Sequence, residues 1–130
     1  MDTALLARIP IFASLSKKDL ERLAGWTFEV EVPAGEELTK EGRLAHEFFV
    51  IEDGSAQVEK DGYVVAELGP GDFFGEIGLM EGGRRTATVV AATPLRVIVM
   101  SSSEFRHLEQ ELPAVAAQVR AAIGRRLSQQ

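Results

Sequence analysis

The sequence predicts an α+β fold that is mainly β: an eight-stranded antiparallel jelly-roll β-barrel with N-terminal helices, one short helix set among the strands, and two C-terminal helices. Three observations predict it. Apolar and polar residues alternate for about 75 residues from Trp26. Turn signals punctuate that stretch, among them Asp53-Gly54, Asp61-Gly62 and Gly69-Pro70-Gly71. Helical spacing with capping residues returns before Gly25 and after Ser101. The expected organisation is one domain over residues 1–130, with a helical part at 1–25, the barrel at 26–100 and helices at 101–130.

Thr3 caps a short apolar segment, Ala4 to Ile9, and Pro10 breaks it. Ser16-Lys17-Lys18-Asp19 places an N-cap oxygen three residues before an acid, so a helix is expected from Lys17 to Ala24, ended by Gly25. Leu5, Ile9, Phe12, Leu15, Leu20 and Leu23 form its apolar surface. Trp26, Phe28, Val30 and Val32 then alternate with polar residues up to the turn Pro33-Ala34-Gly35, and Glu36 to Lys40 follows. Glu47 to Glu52 is expected to pair with Ser55 to Lys60 across Asp53-Gly54, and Ser55 to Lys60 with Tyr63 to Leu68 across Asp61-Gly62. Arg85 to Ala92 and Leu95 to Met100 make the last expected pair, bent around Thr93-Pro94. Ser101-Ser102-Ser103-Glu104 opens a helix that runs to Glu111. Pro113 starts another, with Leu112, Val115, Ala116, Val119, Ala122, Ile123 and Leu127 on one face. Either the barrel or a partner helix must cover that face.

Composition narrows the function classes. Cysteine is absent, so there is no disulfide framework and no thiolate metal site. A formal net charge of -6 argues against non-specific nucleic-acid binding, and Arg120, Arg125 and Arg126 read as a solvated helix face. The apolar runs fall short of a membrane span, and Met1-Asp2-Thr3 lacks the basic start of a signal peptide; a soluble, cytoplasmic protein with no membrane contact is expected. A metal-dependent jelly roll of the cupin kind needs two or three histidines and an acid converging in the barrel. His46 and His107 are about 60 residues apart, so neither a metal site nor a catalytic residue is expected. Gly78 to Arg84 has the two-glycine spacing of a phosphate loop but lacks the Lys-Ser or Lys-Thr at its end.

Residues 72–91 carry the chemistry. Asp72 to Gly75 leads from a strand into a short helical piece, Glu76 to Met80, which Gly82-Gly83 terminates. A helix that short is unstable alone; its first turn offers unpaired N–H groups, and Gly75 and Gly78 allow a ligand close to the backbone. That end suits an anion. Arg84-Arg85-Thr86 opens a β-branched run, so at least one guanidinium enters a strand facing the sheet interior, where a phosphate fits its forked donors. Glu76, an acceptor only, suits a sugar hydroxyl beside that phosphate.

Phe74-Gly75-Glu76-Ile77-Gly78-Leu79-Met80, followed by Arg85-Thr86-Ala87-Thr88-Val89, resembles the phosphate-binding cassette (74–88) of the cyclic-nucleotide-binding domains. That family includes the bacterial catabolite activators, the regulatory subunits of protein kinase A and the cyclic-nucleotide-gated channels. The resemblance implies a ligand site of Gly75, Glu76, Ile77, Gly78, Arg85, Thr86 and Ala87. Arg85 rather than Arg84 would hold the cyclic phosphate, because it is the one followed by a small residue and alanine. Glu76 would accept from the ribose 2′-hydroxyl, and Gly78 and Thr86 would give backbone N–H groups to the phosphate. Ile123 and Leu127 would close over the base.

The function so implied is a non-enzymatic sensor that passes ligand binding on through its C-terminal helices, with no catalytic cofactor. In the kinase branch a threonine after the arginine goes with guanine, whereas bacterial receptors carry serine or threonine there and bind cAMP. The compactness of this sequence looks bacterial, so cAMP is expected before cGMP. The family's lid helix also forms homodimers in the bacterial activators. The effector is not in this sequence, so a free-standing receptor and a regulatory part of a larger protein are both expected readings. The alternative is a ligand-free jelly-roll interaction or dimerisation module.

Overall fold

The computed structural model of the chain describes residues 3–40, 42, 47–75 and 87–128, the side chains of Ile11 and 123–128 excepted. Its strands are β1 (Phe28–Val32), β2 (Glu37–Thr39), β3 (Glu47–Asp53), β4 (Ala56–Lys60), β5 (Tyr63–Leu68), β6 (Phe73–Phe74), β7 (Thr88–Ala91) and β8 (Leu95–Ser101). Helices α1 (Thr3–Ala7) and α2 (Lys17–Ala24), with a 3-10 turn at Pro10–Phe12, precede them; α3 (Ser102–Glu111) and α4 (Pro113–Ser128) follow. The fold class is the predicted one: antiparallel and mainly β, with helices at both ends.

Phe48-Phe49-Val50-Ile51 and Val97-Ile98-Val99-Met100 contain no polar residue, so a strand built from either must be covered on both faces. They form the two central strands of the first sheet, ordered β1–β8–β3–β6. Phe48, Val50, Phe73, Ile98 and Met100 face the helices, in one core with Leu6, Phe12, Leu23, Phe105 and Val119. Phe49, Ile51, Phe74, Val97 and Val99 face the other way, in a second core with Ala56, Val89 and Ala91 of the second sheet, ordered β2–β7–β4–β5. That second sheet has a solvated outer face. The first sheet is therefore the middle layer of three.

This layering corrects two expected pairings. β3 pairs with β8 and β6, not with β4, and β7 pairs with β4 and β2, not with β8. Asp53-Gly54 and Thr93-Pro94 are corners at which the chain changes sheets, because β3 and β8 need burial on two sides and their sequence neighbours need it on one. The corners brace each other. The Ser55 N–H donates to Thr93 Oγ1 at 3.0 Å, and the Ala92 N–H donates to the Ser55 carbonyl at 3.0 Å. Asp61-Gly62 does make the expected hairpin, with Lys60 opposite Tyr63.

The helices follow their caps. Ser16 accepts from the Asp19 N–H, and Ser101 and Glu104 form a reciprocal capping box. The chain breaks between α1 and the turn at Pro10, as expected, although α1 stops at Ala7. Val115, Ala116, Val119 and Ala122 of α4 are buried against α3 and the N-terminal helical part, which resolves what covers that face: the chain's own N-terminal segment together with the back of the first sheet. Arg120 makes an ion pair with Glu109 and lies 5.4 Å from the centre of the Phe105 ring, so it clasps α4 to α3 rather than joining a solvated face.

Candidate functional site

The two ends of the 75–87 stretch are fixed to different sheets. On one side, β6 pairs with β3, Phe74 opposite Phe49 and Phe73 opposite Val50. The Phe49 and Phe74 rings stack at 4.8 Å with 13° between their planes. The approach to β6 is fastened to β3 as well: the Gly71 N–H donates to the Ile51 carbonyl and the Ile51 N–H to the Asp72 carbonyl, both at 2.8 Å. Asp72 Oδ2 accepts from the Gly69 N–H at 2.8 Å and closes that turn. Gly75 then leaves the sheet at φ 80°, a left-handed conformation that strongly favours glycine.

On the other side, the Ala87 carbonyl accepts from the hydroxyl of buried Thr39 at 3.2 Å. β7 begins at the next residue, with Thr88 opposite Glu59 and Val89 opposite both Val58 and Thr39. β6 is the edge of the first sheet and β7 an inner strand of the second, so the stretch leads from one sheet to the other. Between its two ends the wall is apolar: Phe49, Phe74 and Val89 are buried in one cluster, with Val58 and Leu68 packed against it.

Of the residues singled out in the sequence, Gly75 and Ala87 stand at these two ends. Glu76, Ile77, Gly78, Arg85 and Thr86 lie outside the described residues, as do the side chains of Ile123 and Leu127. His107 is exposed on α3, its ring centre 5.9 Å from that of Trp26, and His46 lies outside the described residues. Among the described residues no group of three His, Cys, Asp or Glu could hold a metal ion, and no helix is long and apolar enough to cross a membrane.

Sequence reasoning missed Thr39, whose hydroxyl anchors the exit of the stretch, and Glu52. The Glu52 carboxyl is pushed up to about 7, first by burial and then by the Glu29 carboxyl, which shares a hydrogen bond with it and adds like charge. Its Oε2 is out of reach of solvent and has no hydrogen-bond partner among the described residues. Arg96 offsets this only in part, being engaged with Glu31 at 3.3 Å. The one available signal was an acid directly after the apolar run 48–51 of a strand.

Residues 29–111 match the model of the cyclic nucleotide-binding domain. The chain is 37% identical over 106 residues to a cAMP-dependent protein kinase regulatory subunit of Schizosaccharomyces pombe, covering 81% of this chain and 26% of that one. It spans about a quarter to a third of the length of such curated relatives. Among solved structures, the catabolite activator protein of Thermus thermophilus superposes with a TM-score of 0.79 at 26% identity, over 92% of this chain and 59% of that one. The regulatory subunit of a cAMP-independent protein kinase A from Trypanosoma brucei superposes with a TM-score of 0.80 at 26% identity, over 98% and 46%.

Proposed function

The chain belongs to the cyclic nucleotide-binding domain family, and on that premise we propose that it is a cAMP sensor: a non-catalytic, cytoplasmic regulatory domain that signals through its C-terminal helices. The observation that carries this reading is the extent of the family match. Residues 29–111 enclose the whole Phe74-to-Val89 motif, whose described ends, Gly75 and Ala87, adjoin strands of different sheets beside the buried cluster of Phe49, Phe74 and Val89. The regulatory-subunit relatives favour cAMP over cGMP.

The roles follow from the chemistry of the ligand. Arg85 takes the cyclic phosphate through its planar fork of donors. The Gly78 and Thr86 amides add donors to the same oxygens, and Glu76 accepts from the ribose 2′-hydroxyl. Gly75, Ile77 and Ala87 line the sugar and phosphate, while Ile123 and Leu127 cover the base. Binding biases the position of α3 and α4 only so far as cAMP prefers one arrangement to the other. The end of β8, where Ser101 caps α3, is the joint at which that bias acts. The effector, a kinase catalytic chain or a fused domain, reads the helices.

Calorimetry and thermal unfolding with cAMP, cGMP and AMP test this reading. A ligand at a hundred times its Kd adds about 2.7 kcal/mol of stability, which cAMP should supply and AMP should not. Arg85→Ala leaves the phosphate without its main partner and should weaken cAMP by about 2–5 kcal/mol, roughly 30-fold to several thousandfold. Stability unmoved by either cyclic nucleotide would instead favour a ligand-free interaction module. Unchanged cAMP affinity in Arg85→Ala would remove that residue from the site.

A further inference from the structure

Strand β2 meets β7 with one irregular step. Glu37 stands opposite Val90 and Thr39 opposite Val89, so two residues of β2 advance against one of β7. In a regular ladder Thr39 would come level with Thr88, on the outer side with Glu37 and Val90; the extra residue turns it over to the side of buried Val89. Thr88 and Val90 are only half-buried, whereas Thr39 is 7% exposed. A hydroxyl delivered to an apolar interior needs a partner, and a valine in its place would need none. The partner is the Ala87 carbonyl, 48 residues along the chain, which accepts from Thr39 Oγ1 at 3.2 Å.

That bond reaches further than the ladder does. β7 begins at Thr88, and its pairing with β4 and β2 holds it from there on. Thr39 carries the hold back to Ala87, two residues from Arg85 in the sequence. A carbonyl fixed in direction fixes the plane of its peptide, and two extended residues span at most about 7 Å, so an anchor at Ala87 confines what lies two residues upstream. The opposite end of the stretch is fastened by the backbone pairing of β6 with β3, which no side-chain substitution removes; the Ala87 end is held in part by one hydroxyl. We infer that Thr39 is a positioning residue for nucleotide binding: by fixing the Ala87 carbonyl, its hydroxyl holds Arg85 and Thr86 where they meet the cyclic phosphate. The inference rests on the cAMP reading given above. A planar guanidinium fork makes two parallel bonds only in one orientation, so a loosened origin lowers affinity even though the fork itself is intact.

Calorimetry with cAMP on the parent, Thr39→Val, Thr39→Ser and Thr27→Val tests this role. Thr27 is the other buried polar side chain among the described residues, and its hydroxyl donates to the Leu23 carbonyl of α2 at 3.4 Å. Thr39→Val keeps the shape and removes the donor; it should weaken cAMP about tenfold, the scale of one hydrogen bond. Thr39→Ser keeps the donor and should stay within about threefold of the parent. Thr27→Val should lower the urea midpoint, as Thr39→Val does, and leave cAMP affinity unchanged. Lysine offers a point charge on a flexible stem, so adding Thr39→Val to Arg85→Lys should cost less affinity than it does beside arginine. Equal affinity in Thr39→Val, equal loss in Thr39→Ser or Thr27→Val, or strict additivity with Arg85→Lys would overturn this role and leave the cAMP reading standing. A parent that binds neither cAMP nor cGMP would overturn both.

Discussion

A methyl group at Gly54 would sit 2.4 Å from the Pro94 carbonyl oxygen, and the residue holds φ +92°. Gly54→Ala should therefore destabilise the chain by about 2 kcal/mol or more, read as a lowered urea midpoint. Sequence reasoning found the turn here but assigned it the wrong partner strand, because a left-handed glycine serves a hairpin and a corner equally well. Glu52 makes a second prediction at this scale. Below pH 4.5 its carboxyl is protonated in both folded and unfolded chains, and between 4.5 and about 7 only the folded chain keeps the proton. Folded chains thus bind more protons in that window, and stability falls as pH rises through it. Glu52→Gln should gain on the parent protein progressively from pH 4.5 to 7 and stay ahead at pH 8; a gap that does not change with pH would remove Glu52 as its source. The parent's shift arises from strands distant in sequence, so no local pattern announced it.

Elements whose signals are local were legible, and those whose partners are distant were less so. Ser16 and Ser101 lie three residues from the groups they cap, and both helices begin where the caps said. Ser101→Ala removes one half of a reciprocal box and should cost about 1 kcal/mol, seen as a lower urea midpoint with an unchanged m-value. Strand pairing is a different problem. The expected alternation passed over the apolar runs of β3 and β8, which need burial on both faces, and which strands lie beside them depends on residues tens of positions away. Alternation in β1 was legible too, but it reports only which face a residue takes. How near the opposite sheet comes is a tertiary property, and Phe28, on the same face of β1 as buried Val32 yet exposed, shows the difference.

At the scale of the molecule, the order of the parts was readable: helices, eight strands, helices, with the 75–87 stretch before the last two strands. The division into two cores was not, because each middle-layer strand contributes alternately to both. The cover of α4 was also hidden, since it comes from the opposite end of the chain. Of the candidate site, the motif was legible in the sequence, but the fastening of its two ends to β3 and to Thr39 was not, because both partners are distant along the chain. The middle layer has a consequence for timing. Amide protons of Phe48–Ile51 and Val97–Met100 should exchange with deuterium only when the entire chain opens, and those of the exposed strand β5 should exchange through local fraying. Phe74 would then moor one end of the 75–87 stretch to the slowest-exchanging backbone in the molecule, and Thr88 would tie the other to a sheet that breathes.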